Sequence, residues 1–509
     1  MSSILTNTSA MVALQTMKGI NSNLSKVQNE ISTGKSVATA RDNAAVWAIS
    51  KVMESDVKGF KGISDSLALG SSTLTVAREA SEKISDLLTQ MKGKIVSAQE
   101  ENVDRAKLQT DVAALRDQIA SVVGAAQFSG LNMVSGTEDV NFLSSLDRSS
   151  SGVDVSKITV QRQDLTTGQG VFGTGAALTA NATVLNGAAA VAQTGESAVL
   201  GFTGSWALGE TASITVGGTT LNFEATGATT AADAATFFTG AINALGMEGV
   251  TASDDGSGNL TITSTRAFEG LAVSQVEGAA AGTLAITTVN GAAPSGSNTA
   301  TASTIRQRAE TVEFSTAATV NDGDSYRVTL GGNSYSYIAG KGETMEDVAR
   351  GLKIAIDSAG VDGLSTKVTK DATSGAWQLN IDNDSATSLS LSRSGNAGGT
   401  ASGGLFGLDS INVTTNDGAA SALDNIETMI NTAIDAAAAF GSAQNRIDTQ
   451  NEFVSALTDA LMAGIGSMVD ADMEEASARL QALQVQQQLG VQALSIANQG
   501  PQNLMSLFR

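Results

Sequence analysis

The sequence predicts an α+β protein in which helices from both ends of the chain pair, as in a coiled coil, to form an elongated rod. β-rich outer domains are inserted between these helices. Three observations predict this fold: apolar residues at helical spacing near both termini, a middle region of about residues 165–405 dominated by Gly, Ala, Ser and Thr, and a hairpin motif that occurs twice within that region. At 509 residues the chain is long enough for several domains.

The N-terminal part contains apolar residues in steps of three and four, which place them on one seam of a helix. The first seam consists of Met17, Ile20, Leu24, Val27 and Ile31. The same stepping recurs over residues 84–95 and 108–122, so we predict three helical segments. Turn-forming residues at 32–35 and 124–130 separate or end them.

The C-terminal part shows a matching pattern. A helix is predicted to begin at Ser421, with Asp424 at the capping-box position. The last seam contains small or amide side chains among the apolar ones: Met473, Ala476, Leu480, Leu483, Gln487, Gly490, Leu494 and Ala497. Helices with matching seams at both ends of a chain most simply pack on each other.

An internal repeat organises the middle region. Ser213–Phe223 aligns with Arg327–Tyr337, and each is read as two strands about a Gly-Gly turn. Each hairpin is followed by a predicted helix, at 231–245 and 345–358, and then by a strand, at 259–263 and 378–381. Two small β-β-α-β units are therefore predicted.

Composition excludes several functions. The chain has no Cys and no His, which removes thiol nucleophiles, the usual zinc ligands and the commonest general base. A net charge of −21 argues against nucleic acid and anionic membranes. No stretch approaches a membrane span, and residues 1–10 lack the pattern of a cleavable secretory signal. No enzyme activity, catalytic residue, cofactor or metal site is predicted.

Five segments resemble the bacterial flagellin family. Ile31–Ile49, which contains Ser-Thr-Gly-Lys and Arg-Asp-Asn-Ala-Ala, resembles its N-terminal motif, and Gln127-Phe-Ser-Gly130 resembles Gln-Phe-Asn-Gly. Gly441–Ile447, Val469-Asp-Ala-Asp472 and Ala497–Leu507 resemble C-terminal motifs of the same family. Together these cover about residues 1–140 and 420–509.

The resemblance implies a secreted, extracellular structural subunit of the flagellar filament, exported unfolded and polymerised through its terminal helices for motility. Its implied partners are further copies of itself, the flagellar export apparatus with an export chaperone, and hook-associated and cap proteins, with other flagellins as candidates. No nucleic acid or membrane insertion is expected. The expected domains are 1–42 plus 464–509 (inner filament core), 43–165 plus 405–463 (helical, with short hairpins), 166–300 and 301–404 (outer domains, one repeat each).

The resemblance also implies site residues. The seam residues Met17, Ile20, Leu24, Val27, Ile31, Met473, Leu480, Leu483 and Leu494 are expected to serve polymerisation, and Arg41, Asp42, Asn445, Arg446, Asp470 and Asp472 to make subunit contacts. The family's immune-receptor motif, Arg-x-Arg-Glu-Leu-Ala, is degenerate here, with Gln90, Lys92, Gly93 and Lys94 at its place. We hypothesise weak detection by the vertebrate Toll-like receptor for flagellin.

Two alternatives stay open at the level of sequence. A hook-filament junction protein shares related terminal helices but caps a joint instead of growing a filament. The Ser/Thr-rich middle could in addition serve as an adhesive or glycan-bearing surface.

Overall fold

Long helices at both ends of the chain flank a β-rich middle, which confirms the predicted α+β class. The structure, a computed structural model, describes residues 7–149, 152–278 and 282–506. Residues 1–6 and 507–509 of the predicted inner domain, including Leu507 of the tail motif, lie outside the described residues. The helices are α1 (Thr8–Thr33), α2 (Ala44–Ala98), α3 (Arg105–Ala125), α4 (Ala231–Ala244), α5 (Met345–Asp357), α6 (Asn416–Val469) and α7 (Met473–Ser506).

The strands are short, and all of their pairings are antiparallel. In chain order they are β1 (Gln127–Phe128), β2 (Leu131–Asn132), β3 (Val140–Ser149), β4 (Gly152–Val160), β5 (Ala182–Val184), β6 (Ala190–Val191), β7 (Glu196–Thr203), β8 (Ser205–Trp206), β9 (Thr211–Val216), β10 (Thr219–Glu224), β11 (Thr229–Thr230), β12 (Val250–Asp254), β13 (Asn259–Ser264), β14 (Leu271–Glu277), β15 (Thr283–Val289), β16 (Ala302–Ile305), β17 (Glu310–Phe314), β18 (Ser325–Leu330), β19 (Asn333–Ile338), β20 (Leu364–Lys370), β21 (Trp377–Asn383) and β22 (Leu389–Asn396).

The chain divides into two compact units. The first comprises Met1–Thr75, Val140–Val160 and Gly441–Arg509, and the second comprises Val76–Asp139 and Gln161–Phe440. Both chain ends and the β3–β4 hairpin therefore belong to the first unit, and both repeat copies belong to the second. The division into four domains predicted from the sequence stays a proposal.

In the first unit, the β3–β4 hairpin packs on α2 where that helix carries glycine. A Cβ atom on Gly70 would lie 2.8 Å from Phe142 Cδ1, so only glycine lets the ring approach the helix this closely. From α6, Gln450 Nε2 donates a 2.9 Å hydrogen bond to the carbonyl of Ser144. A short hairpin, as expected within residues 43–165, is thus present and contacts both α2 and α6.

Both repeat hairpins form as predicted in the second unit. β9 pairs with β10 and β18 with β19, and all four turn glycines, Gly217, Gly218, Gly331 and Gly332, have positive φ. Two successive residues at positive φ define the type I′ turn, which glycine adopts without steric cost. The following helices, α4 and α5, also confirm the prediction, and each begins with a complete capping box at Thr230 or Thr344.

Each copy is larger than the predicted β-β-α-β unit, because at least three strands follow the helix and not one. The strands that directly follow each helix, β12 and β20, were not predicted, because their polar residues obscure the apolar alternation. The first copy contains two four-stranded sheets, in the orders β10-β9-β14-β16 and β12-β13-β7-β15. The second contains β19-β18-β22-β6 and β20-β21-β17-β5.

The edge strands show that the first copy is nested inside the second. β5 and β6 precede the first copy in the chain, yet they pair with β17 and β22 of the second. β16 lies beyond residue 300 but pairs with β14 of the first copy. The strand pairings therefore depart from the predicted boundaries 166–300 and 301–404, because pairing between distant segments leaves no mark in local periodicity.

α6 differs from expectation in two ways. It begins before Ser421, and the Thr415 hydroxyl caps it by accepting a 3.1 Å hydrogen bond from the Gly418 amide. Among the helices of the described residues, α6 alone is long and apolar enough to cross a membrane, judged by length and composition only. This corrects the expectation that no stretch comes near that limit. One such helix is weak evidence of a span.

Candidate assembly interface

The helices α1 and α7 pack on each other along the predicted seam. Val27 is buried, and the other four α1 seam residues are partly buried between exposed neighbours. On α7 the partly buried or buried positions are Ala476, Leu480, Leu483, Gln487, Gly490, Leu494 and Ala497. Met473 differs, because 44% of it is exposed at the first position of the helix.

Polar contacts fix the antiparallel register of this pair. Asn7 caps α1 through its side-chain oxygen and donates from Nδ2 to the carbonyl of Ala497 at 2.8 Å. Further along, Gln487 Nε2 donates to Asn21 Oδ1 at 2.7 Å. Amide pairs of this kind specify register at a cost in stability.

Backbone hydrogen bonds join the linker that follows α1 to the linker that precedes α7. Gly34 ends α1 in the left-handed conformation (φ +68°), which favours glycine. Its carbonyl accepts from the Ala471 amide at 3.0 Å, and the Ser36 amide donates to the Val469 carbonyl at 2.7 Å. The Ser-Thr-Gly-Lys motif thus forms part of one of the two paired linkers, and the Val-Asp-Ala-Asp motif forms part of the other.

Two of the motif acids shape the backbone locally. Asp42 Oδ2 accepts hydrogen bonds from the Thr39 amide at 2.8 Å and from its hydroxyl at 3.0 Å, and these bonds, led by the backbone one, lower the pKa of Asp42. Asp472 Oδ1 accepts from the amides of Glu474 and Glu475 and so caps α7.

The other four motif residues do not lie together with Asp42 and Asp472 at one site among the described residues. Asp470 forms a backbone bridge with Lys35 and is exposed. Arg41, Asn445 and Arg446 also lie exposed on the surface of the first unit. Their side chains are accessible for contacts that a single chain does not make.

A second apolar stripe on α7 was missed by the sequence reasoning. Val485, Leu489 and Ile496 are exposed by 55%, 57% and 70%. At about 3.6 residues per turn their spacing places them together on the side roughly opposite the seam. On α1, Met11 and Val12 are each 64% exposed. The spacing of four and seven residues between Val485, Leu489 and Ile496 indicates this stripe in the sequence, but the predicted contacts on α7 were limited to the seam.

The residues at the place of the immune-receptor motif lie on the outer side of α2. Gln90 and Gly93 are exposed, while Lys92 forms an ion pair with Glu427 and Lys94 one with Asp111 at 2.7 Å. No group of three or more His, Cys, Asp or Glu side chains with the placement of metal ligands occurs within the described ranges.

Comparison with known proteins agrees with this architecture. Residues 4–139 match the family model for the bacterial flagellin N-terminal helical region, and residues 423–508 match that for the C-terminal helical region. The chain thus has paired terminal helices on either side of a β-rich middle, and both terminal regions match flagellin family models. This combination is that of a structural subunit of a filament.

Relatives that match over the full length identify the family. Flagellin D of Rhizobium meliloti is 30% identical over 518 residues, with 100% of both chains covered, and Flagellin A of the same organism is 29% identical over 513 residues. A flagellin of Brucella melitensis is 39% identical over 166 residues, which cover 32% of this chain and 59% of that protein. The chain belongs to the bacterial flagellin family. Members of this family are structural proteins that self-polymerise into the bacterial flagellar filament, an extracellular appendage for motility.

Solved structures give only distant likeness. A flagellar hook associated protein from Legionella pneumophila is 8% identical with a TM-score of 0.33, covering 82% of this chain and 98% of that chain. FlgL from Xanthomonas campestris is 13% identical with a TM-score of 0.29, covering 81% and 98%. Scores this low carry no argument for a junction role.

Proposed function

We propose that this flagellin is exported unfolded and polymerises through α1 and α7, which form the wall of the filament core. In this proposal residues 1–42 and 464–509 are the inner domain, and the two repeat copies face outward. The flagellar export apparatus and an export chaperone deliver the chain. Hook-associated and cap proteins contact the two ends of the polymer.

The exposed stripe Val485, Leu489 and Ile496 carries this proposal. The seam side of α7 packs on α1, whereas each side chain of this stripe is more than half exposed within the described residues. Apolar residues aligned along a helix mark an interaction face more strongly than scattered ones. A neighbouring subunit that buried them would remove several side chains from water at once, which favours assembly.

The exposed motif residues fit the same proposal. Arg41, Asn445 and Arg446 lie in the first unit, which also contains the terminal pair. Arg donates in a planar fork that matches carboxylates of a neighbouring copy. We propose that these three side chains contact neighbouring subunits, and that Asp42, Asp470 and Asp472 support those contacts by shaping the linkers.

Assembly of purified subunits onto filament seeds tests the role of the stripe. Leu489→Gln replaces an apolar side chain by a polar one that also favours helix. Full burial of a leucine contributes about 1.5–3 kcal/mol, so covering its exposed part contributes about 1 kcal/mol. This corresponds to an increase of about fivefold in the critical concentration for elongation.

Leu208→Gln is the matched control, because Leu208 is 77% exposed in the first repeat copy and lies far from α7 in sequence. It should elongate seeds as the unchanged protein does. Circular dichroism verifies that both variants fold. Equal critical concentrations for Leu489→Gln and the unchanged protein would remove the stripe from the assembly interface. A subunit that adds one layer to a seed and then stops would instead indicate a junction protein.

A further inference from the structure

A closed triad of buried polar side chains joins α5 to α6. Lys353 and Asp357 lie one turn apart on α5, and Asn425 lies on α6. Lys353 Nζ is 2.7 Å from Asp357 Oδ2 and 2.9 Å from Asn425 Oδ1. Asn425 Nδ2 donates to the same Asp357 oxygen at 3.2 Å. Each member of the triad therefore contacts the other two.

The triad is shielded from water. The side chains of Lys353 and Asp357 are only 6% and 3% exposed, and Asn425 is 6% exposed. Their neighbours along the helices, Ile354 and Ile426, are buried as well. An ammonium and a carboxylate buried together carry a large desolvation cost, and moving one proton from the first to the second removes both charges.

We propose that Lys353 and Asn425 react to form an intramolecular isopeptide bond, with Asp357 as the proton carrier. Asp357 accepts a proton from the Lys353 ammonium, and the neutral amine attacks Asn425 Cγ. The tetrahedral intermediate collapses as Asp357 returns this proton to the Nδ2 group, which leaves as ammonia. Asp357 then takes the second proton from the attacking nitrogen, so that a neutral amide and a neutral carboxylic acid remain. A Cγ–Nζ bond forms and the Cγ–Nδ2 bond breaks, and the step needs no oxidant or further reactant.

The geometry suits each part of this reaction. Cγ is one carbonyl bond, about 1.23 Å, from Oδ1, so Nζ lies no further than about 4 Å from the carbon that it attacks. The leaving nitrogen already points at the carboxylate that protonates it. Thr366 Oγ1 donates to Asp357 Oδ1 at 2.5 Å and holds the carboxyl group in place. Such fixed placement of a nucleophile and a proton carrier accounts for large rate gains.

The first repeat copy provides an internal comparison. The alignment that places Ser213 on Arg327 places Thr239 on Lys353 and Asn243 on Asp357. Asn243 there pairs with both backbone groups of Ala252, at 2.8 Å each, and holds the free edge of β12. The fold therefore does not require a lysine and an acid at these positions, and the second copy has the reactive set in their place.

The bond would link segments 72 residues apart in the chain. A protein without cysteine cannot use disulfides for this purpose outside the cell. An isopeptide bond gives the second repeat copy a permanent attachment to α6 that does not depend on redox conditions.

Intact-mass spectrometry of the folded full-length protein is the direct test. The expected mass is lower than that of the unreacted chain by one ammonia. Trypsin should release one branched peptide that joins residues 351–367 to residues 394–446, with cleavage after Lys353 blocked. An intact mass equal to that of the unreacted chain overturns the proposal, as does a lost ammonia that maps to another site.

Variants separate the roles of the three residues. Lys353→Arg keeps the charge but should retain the full mass, whereas Lys367→Arg, an exposed position in the same copy, should still lose one ammonia. Asp357→Asn should accumulate unreacted chain. Circular dichroism and limited proteolysis show whether each variant folds. Branched peptide at unchanged yield in folded Asp357→Asn overturns the assignment of Asp357 as proton carrier.

Discussion

We expect the carboxyl group of Glu343 to make the stability of the second repeat copy depend on pH. It lines a cavity of about 490 Å³ together with Phe314 and Trp377. Tyr337 Oη donates to both carboxylate oxygens at 2.9 Å. Burial raises the pKa of Glu343 to about 7, and although the tyrosine bond opposes this rise, Asp347 reinforces it.

The magnitude follows from the difference between the folded and unfolded pKa values. The folded value of about 7 lies above the ordinary value of 4.5, and each unit is about 1.4 kcal/mol. Ionisation of Glu343 therefore costs this copy about 3 kcal/mol. Because the folded pKa is the higher one, the full stability is present below pH 4.5, declines between pH 4.5 and about 7, and stays low above that.

Glu343→Gln should remove most of this loss, because glutamine accepts the Tyr337 hydrogen bond without a charge. Hydrogen exchange of α5, followed by mass spectrometry and corrected for intrinsic rates, measures the effect. Protection in the variant should match the unchanged protein near pH 4 and exceed it by up to about a hundredfold at pH 8. Tyr337→Phe should act oppositely at pH 8. A ratio of protection that stays constant across this range would refute the reasoning.

Three further predictions follow from packing and topology. Gly70→Ala should destabilise the first unit by about 1–3 kcal/mol in urea unfolding, because the added methyl group meets Phe142. Gly62→Ala is the control on the same helix, and it should stabilise the unit slightly because a Cβ atom there meets open space. Replacing residues 195–306 by a short Gly/Ser linker should leave the second repeat copy folded, as judged by exchange protection of α5; loss of that protection would contradict the nested arrangement. The purified monomer should activate reporter cells for the flagellin receptor weakly, since Lys92 and Lys94 replace an arginine and a leucine, and full potency would end that hypothesis.

Local patterns predicted the helices and hairpins because their causes are local. Steps of three and four placed Leu480, Leu483 and Leu494 on one side of α7, and that side packs on α1. The Gly-Gly pairs located both type I′ turns, since two successive positive φ values leave few other choices of residue. The Ser-Thr-Gly-Lys and Val-Asp-Ala-Asp motifs were visible for the same reason, because each is a short run of residues that shapes one linker.

The features that escaped prediction depend on residues far apart in the chain. β5 is three residues long, and its partner β17 lies far along the chain, so no local pattern indicates this pairing. Likewise, nothing near Lys353 in the sequence indicates Asn425. A buried lysine is stable only with its partners, so the triad could be recognised only once α5 and α6 lay together.

The terminal pair combines a register that is well specified with an interface that is weak in isolation. Gln487 and Gly490 take seam positions of α7, and the Gln487 side chain donates a hydrogen bond to Asn21 of α1. Lack of space does not require glycine at position 490, because a Cβ atom there would lie at an ordinary 3.8 Å from Ile20 Cδ1. Gly490→Ala should therefore strengthen the α1–α7 pair in the monomer, because it adds one contacting methyl group and favours helix. The measurement is slower amide exchange in both helices. If the subunit needs a loosely held pair for export and addition to the filament, the same variant should be secreted more slowly; normal secretion with stronger protection would separate the two properties.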